Sequence, residues 1–348
     1  GAFPGAGRAC CSWRPAKGRG RAKGINFSAS GIGAAVSFLI MPYLINELIG
    51  WRWTFFANGM VGIVWAAVWL YWFRDDPKDN KKITQAELDY IQKVDAQDQA
   101  VTKKSVSFME VFASKNVILA MIQYFSQNVT FFTSITWIPL YLKQNWGGNA
   151  ELLAAIPMFF AAFSNWTAGG MVTILYKMGF PVGSRRITAM TGYALGALGM
   201  FAATQTDNAV TFIAFYSVAI FGVDMVLSPS WSFCMDIGGD KSGAVSGAMN
   251  MVGNIGAALS AIAFPIFKES VTIPVIAPEA GTVNPYFFMA GVLNIVSIVC
   301  WMFMDPRKPI PQRSPKAIKT RFAITLVILL GLTLASVLCS VLYKTYWK

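Results

Sequence analysis

Gly31-Ile32-Gly33-Ala34-Ala35-Val36-Ser37, closed by Pro42, returns as Asn254-Ile255-Gly256-Ala257-Ala258-Leu259-Ser260, closed by Pro265, 223 residues later. Gly20 and Gly24 meet Gly243 and Gly247 at the same offset. The next apolar stretch repeats as well: Phe55-Phe56 with Gly59, Ile63 and Val64 match Phe287-Phe288 with Gly291, Ile295 and Val296, at an offset of 232. Small residues recur by chance wherever membrane helices pack closely, but two consecutive stretches matching in order point to a duplicated unit. Each copy lies in an apolar run of about 20 residues, long enough to cross a bilayer. The partners stand six spans apart, an even number, so both copies run in the same direction. A parallel repeat with a site between its halves at mid-membrane is one of the building plans of membrane transporters.

The composition agrees. Of 348 residues, 55% are hydrophobic, 14% aromatic and 13% charged, the last about half the roughly 25% of soluble domains. Mean hydropathy is +0.48. An all-α polytopic membrane protein follows. A helix stub is expected at about 1–13, and full spans near 25–47, 54–73, 114–142, 150–176, 185–205, 208–233, 241–267, 283–304 and 321–343. The connections alternate in charge: 24 of the 29 Lys and Arg residues fall on one side and 5 on the other. Positive loops stay cytoplasmic, so the stretches 8–23, 74–115, 177–186, 241 and 307–321 face the cytoplasm and the C-terminus ends outside. The net charge of +12 is therefore a topology signal and not a nucleic-acid footprint. In the long connection 74–113, Thr84-Gln85-Ala86-Glu87 reads as a capping box with Ile83 and Leu88 as its staple, predicting a short surface helix to about Gln97.

Histidine is absent, which removes imidazole metal sites, Ser-His triads and imidazole proton shuttles. The five cysteines, Cys10, Cys11, Cys234, Cys300 and Cys339, have no Cys-x-x-Cys spacing. No cofactor and no metal is expected. The chain begins at Gly1 inside an apolar segment, so a fragment lacking its beginning is expected.

In order along the chain stand Phe3-Pro4 with Arg8 and Trp13, then Arg19-Gly20-Arg21-Ala22-Lys23-Gly24 and Gly50-Trp51-Arg52-Trp53-Thr54-Phe55. Arg74-Asp75-Asp76-Pro77, Asn128, Thr136-Trp137-Ile138-Pro139-Leu140-Tyr141-Leu142 and Ser246-Gly247-Ala248-Met249-Asn250-Met251-Val252-Gly253-Asn254 follow. In these pieces the sequence resembles the major facilitator superfamily, and within it the anion:cation symporter branch of hexuronate, galactonate and sialic acid transporters. The resemblance covers about residues 1–306. It implies a fold of two pseudo-symmetric helical bundles lacking its first three helices: 1–73 the remainder of the N-terminal bundle, 74–113 a cytoplasmic linker, 114–306 the C-terminal six-helix bundle. Residues 307–348, a basic loop and a final span, have no counterpart among the usual twelve. The family's coupling glutamate would fall two positions before Gly1. The end of span eight, Gly169-Gly170-Met171-Val172-Thr173-Ile174-Leu175, departs from the family pattern and lacks its acid–base pair.

Candidate site residues come from the cost of polarity inside a membrane. Asp224, in span ten five residues before Pro229, costs about 2.5–3.5 kcal/mol there and should face a cavity or a partner. It either loads a proton and touches substrate, or is a hydrogen-bonded structural residue. Span seven offers Gln127 and Asn128, which diverge by about 100° on the helix, with Phe132 and Trp137. Amides and aromatic faces suit sugar hydroxyls and sugar rings, while interhelical bonding would use the same residues. Asn250 and Asn254 share one face of span eleven, as pocket or as packing. Asn26, Ser28 and Ser230 complete the candidates. The function expected is secondary transport of an organic anion such as a sugar acid, together with protons, by a monomer in the plasma membrane. A remnant without transport and a polytopic membrane enzyme are the competing expectations.

Overall fold

In the computed structural model the described residues are 16–74, 76–80, 83–89, 108–147, 150–206, 208–270, 284–308 and 316–325, with single residues at 9, 13, 91, 310 and 327. Helix α1 (Ala16–Tyr43) runs on through a π-helical turn, Leu44–Leu48. Gly50, at φ +73°, then reverses the chain into α2 (Gly50–Trp72); glycine alone takes that conformation without a steric cost. Glu87 N–H donates to Thr84 Oγ1 at 3.3 Å, and residues 85–89 are helical, as the capping signal predicts. The expected remainder of that helix, apart from residue 91, lies outside the described residues.

The second half comprises α3 (Phe108–Ala113), α4 (Lys115–Thr136), α5 (Ile138–Trp146), α6 (Ala150–Lys177), α7 (Pro181–Ala203), α8 (Ala209–Met225), α9 (Leu227–Gly238), α10 (Ser242–Ser270) and α11 (Asn284–Phe303). Spans eight, nine, eleven and twelve thus fall where expected to within a few residues. Span seven differs, being broken at Trp137 into α4 and α5, and span ten is broken at Val226 into α8 and α9. A proline follows each break by two or three residues, Pro139 and Pro229, and its missing N–H leaves the preceding turn without a backbone donor. Span five also differs: its helix starts at Ala16, nine residues before the expected 25. Of the expected final span 321–343, only 321–325 and 327 are described; the helix 316–325 docks on α3, where Thr325 Oγ1 donates to Phe112 O at 3.0 Å.

Helix α1 lies along α6, so the first half meets the second there. The approach is close because α1 is notched: a Cβ on Gly24 would sit 2.5 Å from the backbone oxygen of Asn165. Within the second half, α10 lies along α4, α8 sits between α6 and α7, and α11 packs on α7 and α4. Two apolar clusters fill this half. One gathers Val117, Tyr124, Trp231 and Trp301, the other Leu142, Phe212, Tyr216 and Phe287. Helix α2 exposes Trp53, Phe55 and Tyr71, the all-round apolar surface of a lipid-facing helix. Among the described residues, six helices have the length and composition to cross a membrane; α4 and α7, 22 and 23 residues long, reach the same length with a buried polar face. The protein is an integral, multi-pass, all-helical membrane protein.

Candidate functional site

Between the two apolar clusters lies a polar layer, and Asp224 is its centre. The residue occupies the last turn of α8, where the break at Val226 turns the chain toward α9. Its side chain is 2% exposed. Gln127 Nε2 from α4 donates to Oδ1 at 3.4 Å, and Asn165 Nδ2 from α6 donates to Oδ2 at 3.0 Å. Each carboxylate oxygen therefore has one amide donor, and the two donors come from different spans. Asn128 Nδ2 in turn donates to Gln127 Oε1 at 3.0 Å and to Tyr124 O at 2.9 Å. Gln127 and Asn128, which diverge on the helix, share one hydrogen-bond chain because the longer carboxamide bends back to its neighbour. Tyr124 accepts the indole N–H of Trp231 at 3.2 Å.

The remaining sequence candidates lie elsewhere. Ser230 Oγ donates to Gln123 Oε1 at 3.2 Å, inside a knot that also takes Tyr193 and Trp301. Ser28 Oγ donates to Gly24 O and Ala162 O at 2.8 and 2.9 Å, joining α1 to α6. Both hydroxyls are committed to protein acceptors. Trp137 stands at the break of span seven, its Nε1 on Ala261 O at 3.0 Å and its ring stacked on Phe264. Phe132 is half-buried with its edge to Phe131. Asn254 is exposed and donates back to Asn250 O at 2.8 Å, while Asn26 is exposed on α1.

Sequence reasoning missed two buried polar residues. Asn165 sits in Phe163-Ser164-Asn165-Trp166, and an amide amid apolar residues carries the same kind of signal that singled out Asp224. Lys23 is not a loop residue, as its place among the basic connections suggested. It lies in α1, is fully buried, and its ammonium stands 5.1 Å from the Trp231 ring centre and 5.8 Å from that of Phe27. The cation thus reaches from the first half onto the second, an attraction worth about 2 kcal/mol when desolvated. At the same end of the bundle Arg185 Nε pairs with Asp236 Oδ2 at 2.9 Å, its guanidinium 4.9 Å from the Tyr176 ring. Spans nine and ten are tied there even though the end of span eight carries no charged pair.

A buried carboxylate at a broken helix, gripped by amides, within a parallel repeat of membrane spans, is a transporter's architecture. The profile of the Major Facilitator Superfamily matches residues 1–261. The chain belongs to the major facilitator superfamily. Among curated relatives, it is 26% identical over 331 residues to the probable sulfoacetate transporter of Cupriavidus necator, covering 93% of this chain and 74% of that protein. It is 27% identical to the probable galactarate/D-glucarate transporter of Bacillus subtilis, over 87% of this chain and 66% of the other. The D-galactonate transporter of Escherichia coli is 29% identical over 73% of this chain and 61% of its own length. The chain thus spans between about six tenths and three quarters of these three relatives.

Proposed function

We propose that this superfamily member is a secondary active transporter that moves an organic anion, such as a sugar acid, together with protons by alternating access of its two halves. Three relatives carry names of organic-anion transporters, two of them for sugar acids. The observation that carries the proton-coupled reading is the amide grip on Asp224. Low-dielectric burial penalises the charged form of a carboxylate, and two neutral donors hold that form without neutralising it. A carboxylate so placed suits a group that takes a proton on one side of the membrane and gives it up on the other. Its neighbours Gln127, Asn128 and Asn165 supply the amides that a polyhydroxylated anion needs.

The test is Asp224→Asn in the full-length protein, reconstituted in vesicles with an imposed pH gradient. The substitution keeps the shape and removes the proton site. Uptake driven by the gradient should fall at least about tenfold, the factor that 1.4 kcal/mol buys in a rate. Unchanged gradient-driven uptake would make Asp224 a structural residue.

A further inference from the structure

Asn165 is fully buried, and its two polar atoms are used unequally. Nδ2 donates to Asp224 Oδ2 at 3.0 Å and to Ala161 O at 2.9 Å. Oδ1 is buried with no hydrogen-bond partner among the described residues. An orphaned buried acceptor carries a desolvation cost of about 1–3 kcal/mol, which is unusual in a folded protein. It stands on the same carboxamide that grips the carboxylate of the polar layer.

The grip suits one protonation state alone. Ionised, Asp224 accepts on both oxygens, from Gln127 and from Asn165. A proton arriving on Oδ2 turns that oxygen from acceptor to donor, and the facing N–H then opposes an O–H. The nearest relief is a turn of the carboxamide about its Cβ–Cγ bond, which presents Oδ1 to the acid proton and gives up the bond to Ala161 O. That carbonyl keeps its place in the backbone ladder of α6. On Oδ1 of Asp224 the alternative is poorer, because Gln127 Oε1 is already occupied by Asn128. Among the described residues, the Tyr124 phenol from α4 is in electrostatic contact with Asp224. Helix α6 presents the Asn165 amide, α7 commits Arg185 to Asp236 and Tyr193 to Gln123, and α9 carries Asp236 in that pair, with Cys234 packed on Met249.

We infer that Asn165 is the positioning residue of proton exchange: it holds the ionised carboxylate through Nδ2–H, takes the acid O–H on Oδ1, and so transfers the protonation state of span ten to span eight. The inference rests on the proton-carrying role of Asp224. Its consequence lies at the seam between the halves, because the backbone oxygen of the same residue is where Gly24 of α1 makes its closest approach. A proton from water adds to Asp224 Oδ2 as one new O–H bond, the two N–H···O bonds from Asn165 to Asp224 Oδ2 and to Ala161 O give way to one O–H···O bond, and no other covalent bond changes.

Infrared difference spectra of the purified full chain in lipid nanodiscs, taken between acid and neutral pH, test it. The carboxyl C=O band of protonated Asp224 is identified as the band lost in Asp224→Asn. In Asn165→Leu that band should move to higher wavenumber as its O–H loses an acceptor, and in Asn165→Gln it should return toward the wild-type position. The pH of half-maximal uptake by the full-length protein should be displaced in Asn165→Leu by about one unit, tenfold in proton activity. A band and a pH profile unmoved in Asn165→Leu overturn the inference and leave the role of Asp224 standing. A spectrum with no Asp224-dependent band overturns both. Should Asn165→Leu not assemble, Asn165→Ala, smaller and likewise without an acceptor, gives the same comparison.

Discussion

Gln123 shows how much of the second half hangs on single amides. Its carbonyl oxygen takes three donors: Tyr193 Oη at 2.7 Å, Ser230 Oγ at 3.2 Å and Trp301 Nε1 at 3.3 Å, from spans nine, ten and twelve. Replacing it with methionine keeps the volume and the backbone oxygen that Tyr193 also bonds, but takes the acceptor from the buried donors Ser230 Oγ and Trp301 Nε1, each at about 1–3 kcal/mol. Gln123→Met should therefore lower the melting temperature in detergent micelles by several degrees, read by scanning fluorimetry. Asn250→Ala, on a half-buried residue whose backbone oxygen takes the bond from Asn254, should stay within about 0.5 kcal/mol of wild type. Equal melting of Gln123→Met and wild type would mean the knot contributes nothing. This is also where the sequence stops being legible. Asp224, Gln127 and Asn128 stand out because a carboxylate or amide in an apolar run must be compensated, and the structure brings these three together. Ser230 and Ser28 are equally plausible by type, but the acceptors that tie them to other spans, Gln123 Oε1 and Ala162 O, lie 107 and 134 positions away. No local pattern contains that information.

At the scale of elements, the contact of α1 with α6 depends on absent side chains. A Cβ on Gly24 would press on the Asn165 backbone oxygen at 2.5 Å, whereas one on Gly33 would meet nothing within 4 Å. Backbone cannot yield as a flexible side chain does, so Gly24→Val must part the helices, at a cost above the roughly 1–3 kcal/mol of ordinary overpacking. Cysteines at Ser28 and Ala162, whose hydroxyl and carbonyl now bond at 2.9 Å, report the separation in a background without the native cysteines. Gly24→Val should cut the cross-linking yield severalfold, and Gly33→Val should leave it as it was. Equal yields in both would mean that the seam does not need its notch. The element boundaries were legible from apolar length, but the breaks in spans seven and ten were not. Pro157 and Pro265 are carried inside unbroken helices, so a proline in the sequence does not by itself tell a kink from a break. Helix α1 starts before its expected boundary for a different reason: Lys23 reads as part of a basic loop, while its ammonium is housed against aromatic faces of both halves.

For the molecule as a whole, the duplicated segments serve unlike partners. The copy at 31–37 lies on span eight across the halves, with Gly31 against Ala162, while the copy at 254–260 lies on span seven of its own half, with Gly256 against the Phe125 backbone. One inherited helix surface thus builds both a bundle and the seam between bundles, which is what a parallel repeat provides. Orientation in the membrane follows from charge and not from packing. Arg185, Arg186, Lys241 and the stretch 307–321 fall in connections of the same side by the alternation of charge along the chain, and the basic side stays in the cytoplasm. If the apolar run 321–343 crosses once more, the chain ends outside. Alkaline phosphatase, which folds to an active enzyme only outside the cytoplasm, should be active when fused after Lys348 and inactive when inserted between Gln97 and Lys103. Activity at both positions would break the charge argument, because the 24-to-5 asymmetry would then have set no orientation. Inactivity at both would spare that argument and remove the final crossing: the run 321–343 would lie along the cytoplasmic face, continuing the helix 316–325 that already rests on Phe112 through Thr325 and Phe322.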